Sequence, residues 1–231
     1  MRARLGSLVA ALVLAVLVGQ AAAQGVYIEQ EVVKRRDGEV VEKETIRTWI
    51  EGNLLRLESS CQPNHTIIDS EKSVMWVVDD RNKVYMEFPL KPKPAQEGKR
   101  GGKVRLKAVP TGRTMKIGRW DCFEVELVTD KKGAAAPPVR TFVWLTKSAG
   151  PESQRMRDAL SKSLKKWMPE SALKEAGLDG LPVRIVTKTE IVSPSKRVLQ
   201  ETVVTISAMG FMDIPPSLFE IPSSYRRLNR K

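Results

Sequence analysis

The chain has 231 residues, 42% of them hydrophobic and 29% charged, with 39 Lys and Arg against 27 Asp and Glu for a formal net charge of +12 at pH 7. Charge spread through so much apolar sequence excludes a disordered chain. The length allows one domain of about 200 residues that buries a core without disulfide or metal staples.

The first residues, Met1-Arg2-Ala3-Arg4, carry two positive charges, and an unbroken apolar run from Leu8 to Val18 and Gly19-Gln20-Ala21-Ala22-Ala23 follow. This is the three-part pattern of a signal peptide. The apolar run is shorter than the about 20 residues that span a bilayer. Ala21 and Ala23 supply the small side chains a signal peptidase needs, so residues 1–23 are expected to be removed by cleavage after Ala23, leaving 24–231 as a single domain in the periplasm or secreted. No cysteine follows the cut to carry a lipid. Removal of Arg2 and Arg4 lowers the formal charge by two, from +12 to +10. Outside the cytoplasm a basic surface meets anionic headgroups or acidic polymers rather than nucleic acid, so no nucleic-acid partner is expected.

Val26 to Arg47 reads as two strands around Arg36-Asp37-Gly38, since Asp-Gly supplies the positive φ angles of a tight hairpin. Val26, Ile28, Gln30 and Val32 share one face. A strand through Trp49 and Ile50 turns at Glu51-Gly52-Asn53 into Leu54–Glu58. The next hairpin runs Ser73–Val78, Asp79–Asn82, Lys83–Phe88. Val74, Trp76 and Val78 alternate with Met75 and Val77, so this strand is apolar on both faces and each side needs a cover.

Residues 89–103 are dense in Pro, Gly and Lys and read as a basic loop. Strands resume at Val104–Lys107, Trp120–Val128 and Val139–Leu145. Pro151 then opens a helical insertion over 151–177, in which Met156, Leu160, Leu164, Trp167 and Met168 fall at three- and four-residue spacing. Two strands, Leu181 to about Val192 and Arg197 to Met209, and an extended tail from Ile214 to Pro222 complete the chain. Strands, a helical insertion and more strands predict an α+β fold, a curved antiparallel sheet with a helical lid.

The case for catalysis is poor, and no enzyme, cofactor or metal is expected. His65 is the single histidine, so a zinc site or a Ser-His-Asp triad would rest on it alone, and it reads as a turn or surface residue. Gly-x-Ser-x-Gly, phosphate-binding loops and Cys-x-x-Cys pairs are absent. Asp79 with Asp80 and Glu124 with Glu126 read as solvated carboxylates. Cys61 and Cys122 fit either a disulfide, in an oxidising compartment, or two buried thiols. Trp49, Trp76 and Trp144 lie in predicted strands and either fill the core or line a cavity. Met156, Leu160, Leu164, Trp167 and Met168 are the candidate lid.

The segments Trp49–Glu58, Thr66–Asp69, Lys83–Glu87, Gly180–Val183 and Ile214–Tyr225 together resemble a bacterial exported family catalogued as a domain of unknown function, the 4412 type. That family is similar in architecture to the LolA and LolB periplasmic lipoprotein carriers. The resemblance implies an incomplete β-barrel covered by helices and carries no catalytic residue. The chain departs from it in its basic loop and in lacking the lipid-attachment cysteine of LolB-type members. The function expected is a monomeric periplasmic binding protein for a lipid, lipoprotein acyl chain or similar amphiphile. The alternative is an envelope interaction protein that docks its basic surface on an anionic membrane or partner.

Overall fold

The structure, a computed structural model, describes residues 24–90, 105–130, 139–147, 180–192 and 197–228. Among the described residues twelve strands form one sheet: β1 (Gly25–Arg36), β2 (Glu39–Glu51), β3 (Leu54–Ser59), β4 (Asn64–Asp69), β5 (Val74–Asp79), β6 (Val84–Pro89), β7 (Arg105–Ile117), β8 (Trp120–Asp130), β9 (Val139–Thr146), β10 (Leu181–Val192), β11 (Arg197–Met212) and β12 (Arg226–Arg227). Their order across the sheet is β12-β6-β5-β4-β3-β2-β1-β11-β10-β9-β8-β7. Two meanders, β1 to β6 and β7 to β11, join where β1 pairs with β11, and β12 adds to β6 in parallel.

The hairpins follow from local chemistry. Asp37 and Gly38 both take positive φ, 53° and 92°, the geometry that matches a two-residue turn to the twist of its strands. Asp37 also ties this turn to β11, its amide donating to the Leu199 carbonyl at 2.8 Å and its carboxylate accepting from the Leu199 amide at 2.9 Å.

Register shifts bend the sheet. One residue, Ser207, is extra in β11 opposite Glu29 and Gln30, and its hydroxyl donates to the Glu29 carbonyl at 3.2 Å. Another, Val183, is extra in β10, so that Leu181 comes opposite Thr146 while Arg184 stays opposite Trp144. Leu181 and Val183 thus join Trp144, Cys122, Ile206, Val26, Ile28, Ile50 and Leu55 in one cluster, while Ile185 beyond the shift turns to the other face opposite Val143. A second cluster, Val125, Val143 and Leu145, lies on β8 and β9.

The α+β expectation is corrected. Among the described residues there is no α-helix, only a 3-10 turn at Pro216–Phe219, and the architecture is one large open all-β sheet. Both apolar faces of β5 need a cover, and one of them is covered by the extended C-terminal tail. Ile214, Leu218, Phe219, Ile221 and Tyr225 pack on Trp49, Leu54, Ile67, Trp76, Val78 and Tyr85. Residues 151–177, with Met156, Leu160, Leu164, Trp167 and Met168, lie outside the described residues, as do the cleavage site at Ala23 and most of the loop over 89–103.

Candidate functional site

Direct cross-strand partners lie on the same face of a sheet, so the pairing register shows what each face presents. On the face away from the tail one row runs Phe211, Val26, Ile50, Leu55, Ile68, Met75, Phe88 from β11 to β6. The neighbouring row runs Met209, Ile28, Thr48, Leu57, Thr66, Val77, Met86. Neither row holds a charged side chain. With strands about 4.8 Å apart, seven strands span about 29 Å.

Exposure changes along these rows. Val26, Ile50 and Leu55 are 2%, 2% and 4% exposed, Ile68, Met75, Val77 and Phe88 are half-buried, and Met86 reaches 38%. The apolar surface is thus closed around β1 and β2 and opens toward β6. Methionine contributes Met75, Met86 and Met209, and its unbranched, polarizable side chain adapts to irregular apolar partners.

The tail-covered face is packed from β2 to β6. It is a filled core with a polar margin. Trp49 stacks at a tilt on Tyr27, centroids 5.5 Å apart, and Trp76 donates through Nε1 to Glu87 at 3.1 Å. The three tryptophans proposed as cavity residues are therefore not brought together: Trp49 and Trp76 sit under the tail, while Trp144 is buried in the main cluster.

His65 is a correction to its reading as a turn or surface residue. It lies within β4 and is 6% exposed, with Nδ1 2.9 Å from Asp80 Oδ2. A carboxylate only accepts, so Nδ1 carries the proton and the neutral ring leaves Nε2 bare; that atom is buried without a partner. Burial first, and then the Arg56 guanidinium, push the imidazole below its ordinary pKa against the opposing pull of Asp80 and Glu58.

Glu124 is a second correction. It is 5% exposed, not solvated, and accepts from Thr111 Oγ1 at 2.8 Å beside the three-residue irregularity of β7. Asp79 instead caps the β5–β6 turn, accepting from the amides of Arg81 and Asn82 at 3.0 Å each. Glu126 pairs with Arg140 at 2.9 Å. The disulfide allowed by the sequence is not made: Cys61 is an exposed free thiol after β3, and Cys122 is a buried one in β8, with β2, β1, β11, β10 and β9 between those strands. Burial raises the Cys122 thiol pKa. Among the described residues no three His, Cys, Asp or Glu side chains group as a metal site, and no helix is long and apolar enough to cross a membrane.

Fold and surface define an open, mostly antiparallel sheet with the tail strapped over one apolar face and uncharged apolar rows on the other. The chain belongs to the family described as Domain of unknown function (DUF4412), which matches residues 40–225. No curated protein matches it. Among solved structures it is similar to PNGF-II, at 13% identity and a TM-score of 0.38 over 85% of this chain, and it spans only 30% of that protein. It is also similar to a LolA superfamily protein from Nitrosomonas europaea, at 10% identity and a TM-score of 0.33, over 85% of this chain and 90% of the other.

Sequence reasoning missed the role of the tail and of His65. The signal for the tail was available in Ile214, Leu218, Phe219 and Ile221, four apolar residues in a segment that forms no sheet strand. No local signal placed His65 inside.

Proposed function

We propose that the protein is an exported, periplasmic, non-catalytic binding protein that holds a lipid, an acyl chain or a similar amphiphile against the sheet face opposite the tail. The observation that carries this reading is the pair of uncharged rows across β11 to β6, closed at Val26 and Ile50 and open at Met75, Val77 and Met86. The apolar surface left outside the main cluster, at Met75, Val77, Met86 and Phe88, gains about 25 cal/mol for each Å² it hides from water, and a flexible chain can follow it across β5 and β6. With no charge in either row, the site selects by the chain of the amphiphile and leaves its headgroup to the rim.

Native mass spectrometry of the mature protein tests the reading: a lipid adduct is expected, and its loss in a Met75→Glu, Val77→Glu variant that still folds. Affinity for a fluorescent fatty acid should hold as salt rises, because screening acts on charges and not on apolar contact. An adduct-free protein that binds no fatty acid, or a variant that binds as well as the parent, overturns the proposal.

A further inference from the structure

The C-terminal tail is held over β3 to β6 by ties that converge around one histidine. At its middle, Arg56 Nη1 donates to the Leu218 carbonyl at 2.7 Å. Near its end, Tyr225 donates its hydroxyl to Asp80 Oδ1 at 3.0 Å, while the other oxygen of that carboxylate takes His65 Nδ1. Beyond Tyr225 the tail joins the sheet edge: the Arg226 amide donates to the Lys83 carbonyl at 2.9 Å and the Leu228 amide to the Tyr85 carbonyl at 2.8 Å. Arg227 adds an ion pair to Glu87 at 2.9 Å.

We propose that the segment from Ile214 to Leu228 is an acid-released strap, docked on the sheet while His65 is neutral and freed when His65 takes a second proton. A proton on Nε2 would be a buried donor with no acceptor, beside a guanidinium of the same sign. The charged groups acting on the ring are Arg56 and Glu58 on β3 and Asp80 after β5, and from the tail Tyr225 reaches that same Asp80 carboxylate. Glu58 is already engaged by Arg56, at 2.8 Å from its Nε, and Asp80 by Nδ1 and Tyr225. The imidazolium therefore repels the side chain that holds Leu218 and gains hydration only when the tail lifts. Lifting uncovers Trp49, Ile67, Trp76 and Val78, the apolar face of the opposite side.

The sign follows from linkage. A histidine whose folded pKa lies below its open-state value stabilises the closed form above about pH 6.5, and that stabilisation is lost as pH falls. Between pH 7.5 and 5.0 the opening constant rises by up to about 30-fold, the factor by which an ordinary imidazole becomes protonated. Hydrogen exchange reads it directly: protection factors at the Arg226 and Leu228 amides should fall by up to that factor at pH 5.0, while those of Val26 and Ile28 hold. Because His65 is the only histidine of the chain, its imidazole gives one NMR titration curve, expected below the ordinary value. A His65→Phe variant, and separately His65→Gln, should show no pH dependence of tail protection. Unchanged tail protection at pH 5.0, loss of Val26 and Ile28 protection in step with the tail, an ordinary imidazole titration, or a pH response retained in both variants would each overturn the strap.

Discussion

Truncation of Phe219 to alanine tests how much the tail contributes to the fold. Phe219 is 7% exposed and closes a cluster with Ile67 and Val78, both 0% exposed, and Ile214 at 6%. Removing a buried phenylalanine costs about 3–5 kcal/mol where the hole cannot collapse, against a domain stability of about 5–15 kcal/mol. The hole lies between a sheet and an extended segment, and the segment has a second option, which is to detach. The observed loss is then capped by the free energy of opening the tail, and the remaining sheet unfolds with less surface to expose. Urea titration followed by tryptophan emission separates these outcomes. A loss of about 3 kcal/mol or more at constant m means the tail and sheet unfold together; a smaller loss with a reduced m means the tail leaves first. A loss below about 1 kcal/mol, with m unchanged and the Arg226 and Leu228 amides as protected as in the parent, would refute the view that Phe219 anchors the tail.

Three further perturbations have defined outcomes. Gly25→Ala places a methyl group against the Ile214 side chain and 3.0 Å from the Ile50 carbonyl oxygen, so thermal melts should show a loss of about 1–3 kcal/mol from overpacking; an unchanged Tm would mean that the tail start yields freely. Burial pushes the Asp69 carboxyl up, but hydrogen bonds from the Lys72 amide and ammonium outweigh it and hold its pKa low. Its contribution is complete above the ordinary value of about 3.9 and lost as pH falls below it, so urea melts of Asp69→Asn should be less pH-dependent below about pH 4 than those of the parent. A maleimide should add once to the native protein, at Cys61, and twice in denaturant; no addition before reduction would show a disulfide instead.

The local half of this fold is legible in the sequence and the long-range half is not. Asp37-Gly38 announces its turn through backbone preference alone, and Val26, Ile28 and Val32 show by alternation that one side of β1 is buried. Alternation in β5 separates Trp76 and Val78 from Met75 and Val77, as the structure does. What alternation cannot identify is the partner that covers a face. From about 140 residues away in sequence the tail binds β5 by side chains and β6 by one short parallel pairing, and such pairings leave no local period to read. Bulges hide for the same reason. Val183 reads as an ordinary strand residue, yet as an extra residue it turns Ile185 away from the face of Leu181 and Val183 and onto Val143. His65 misleads because its compensation comes from Asp80 across a hairpin, and a polar residue at the start of a strand resembles a turn.

The two faces of β5 also explain why the tail and the apolar rows belong to one design. A strand with apolar side chains on both sides is stable only if both are taken from water. The chain supplies one cover itself, at Trp76 and Val78, and fixes it with Arg56, Asp80 and Glu87. Met75 and Val77 on the reverse side remain half-buried. Because their backbones are shared, a ligand seated on Met75 and Val77 bears on the same strand whose other side holds the strap. Any shift of β5 that widens one face must move Trp76 and Val78 against Ile214 and Phe219. Occupancy of the apolar rows should therefore change protection at Arg226 and Leu228, and by the reciprocity of linkage strap release should change affinity for the amphiphile by the same factor.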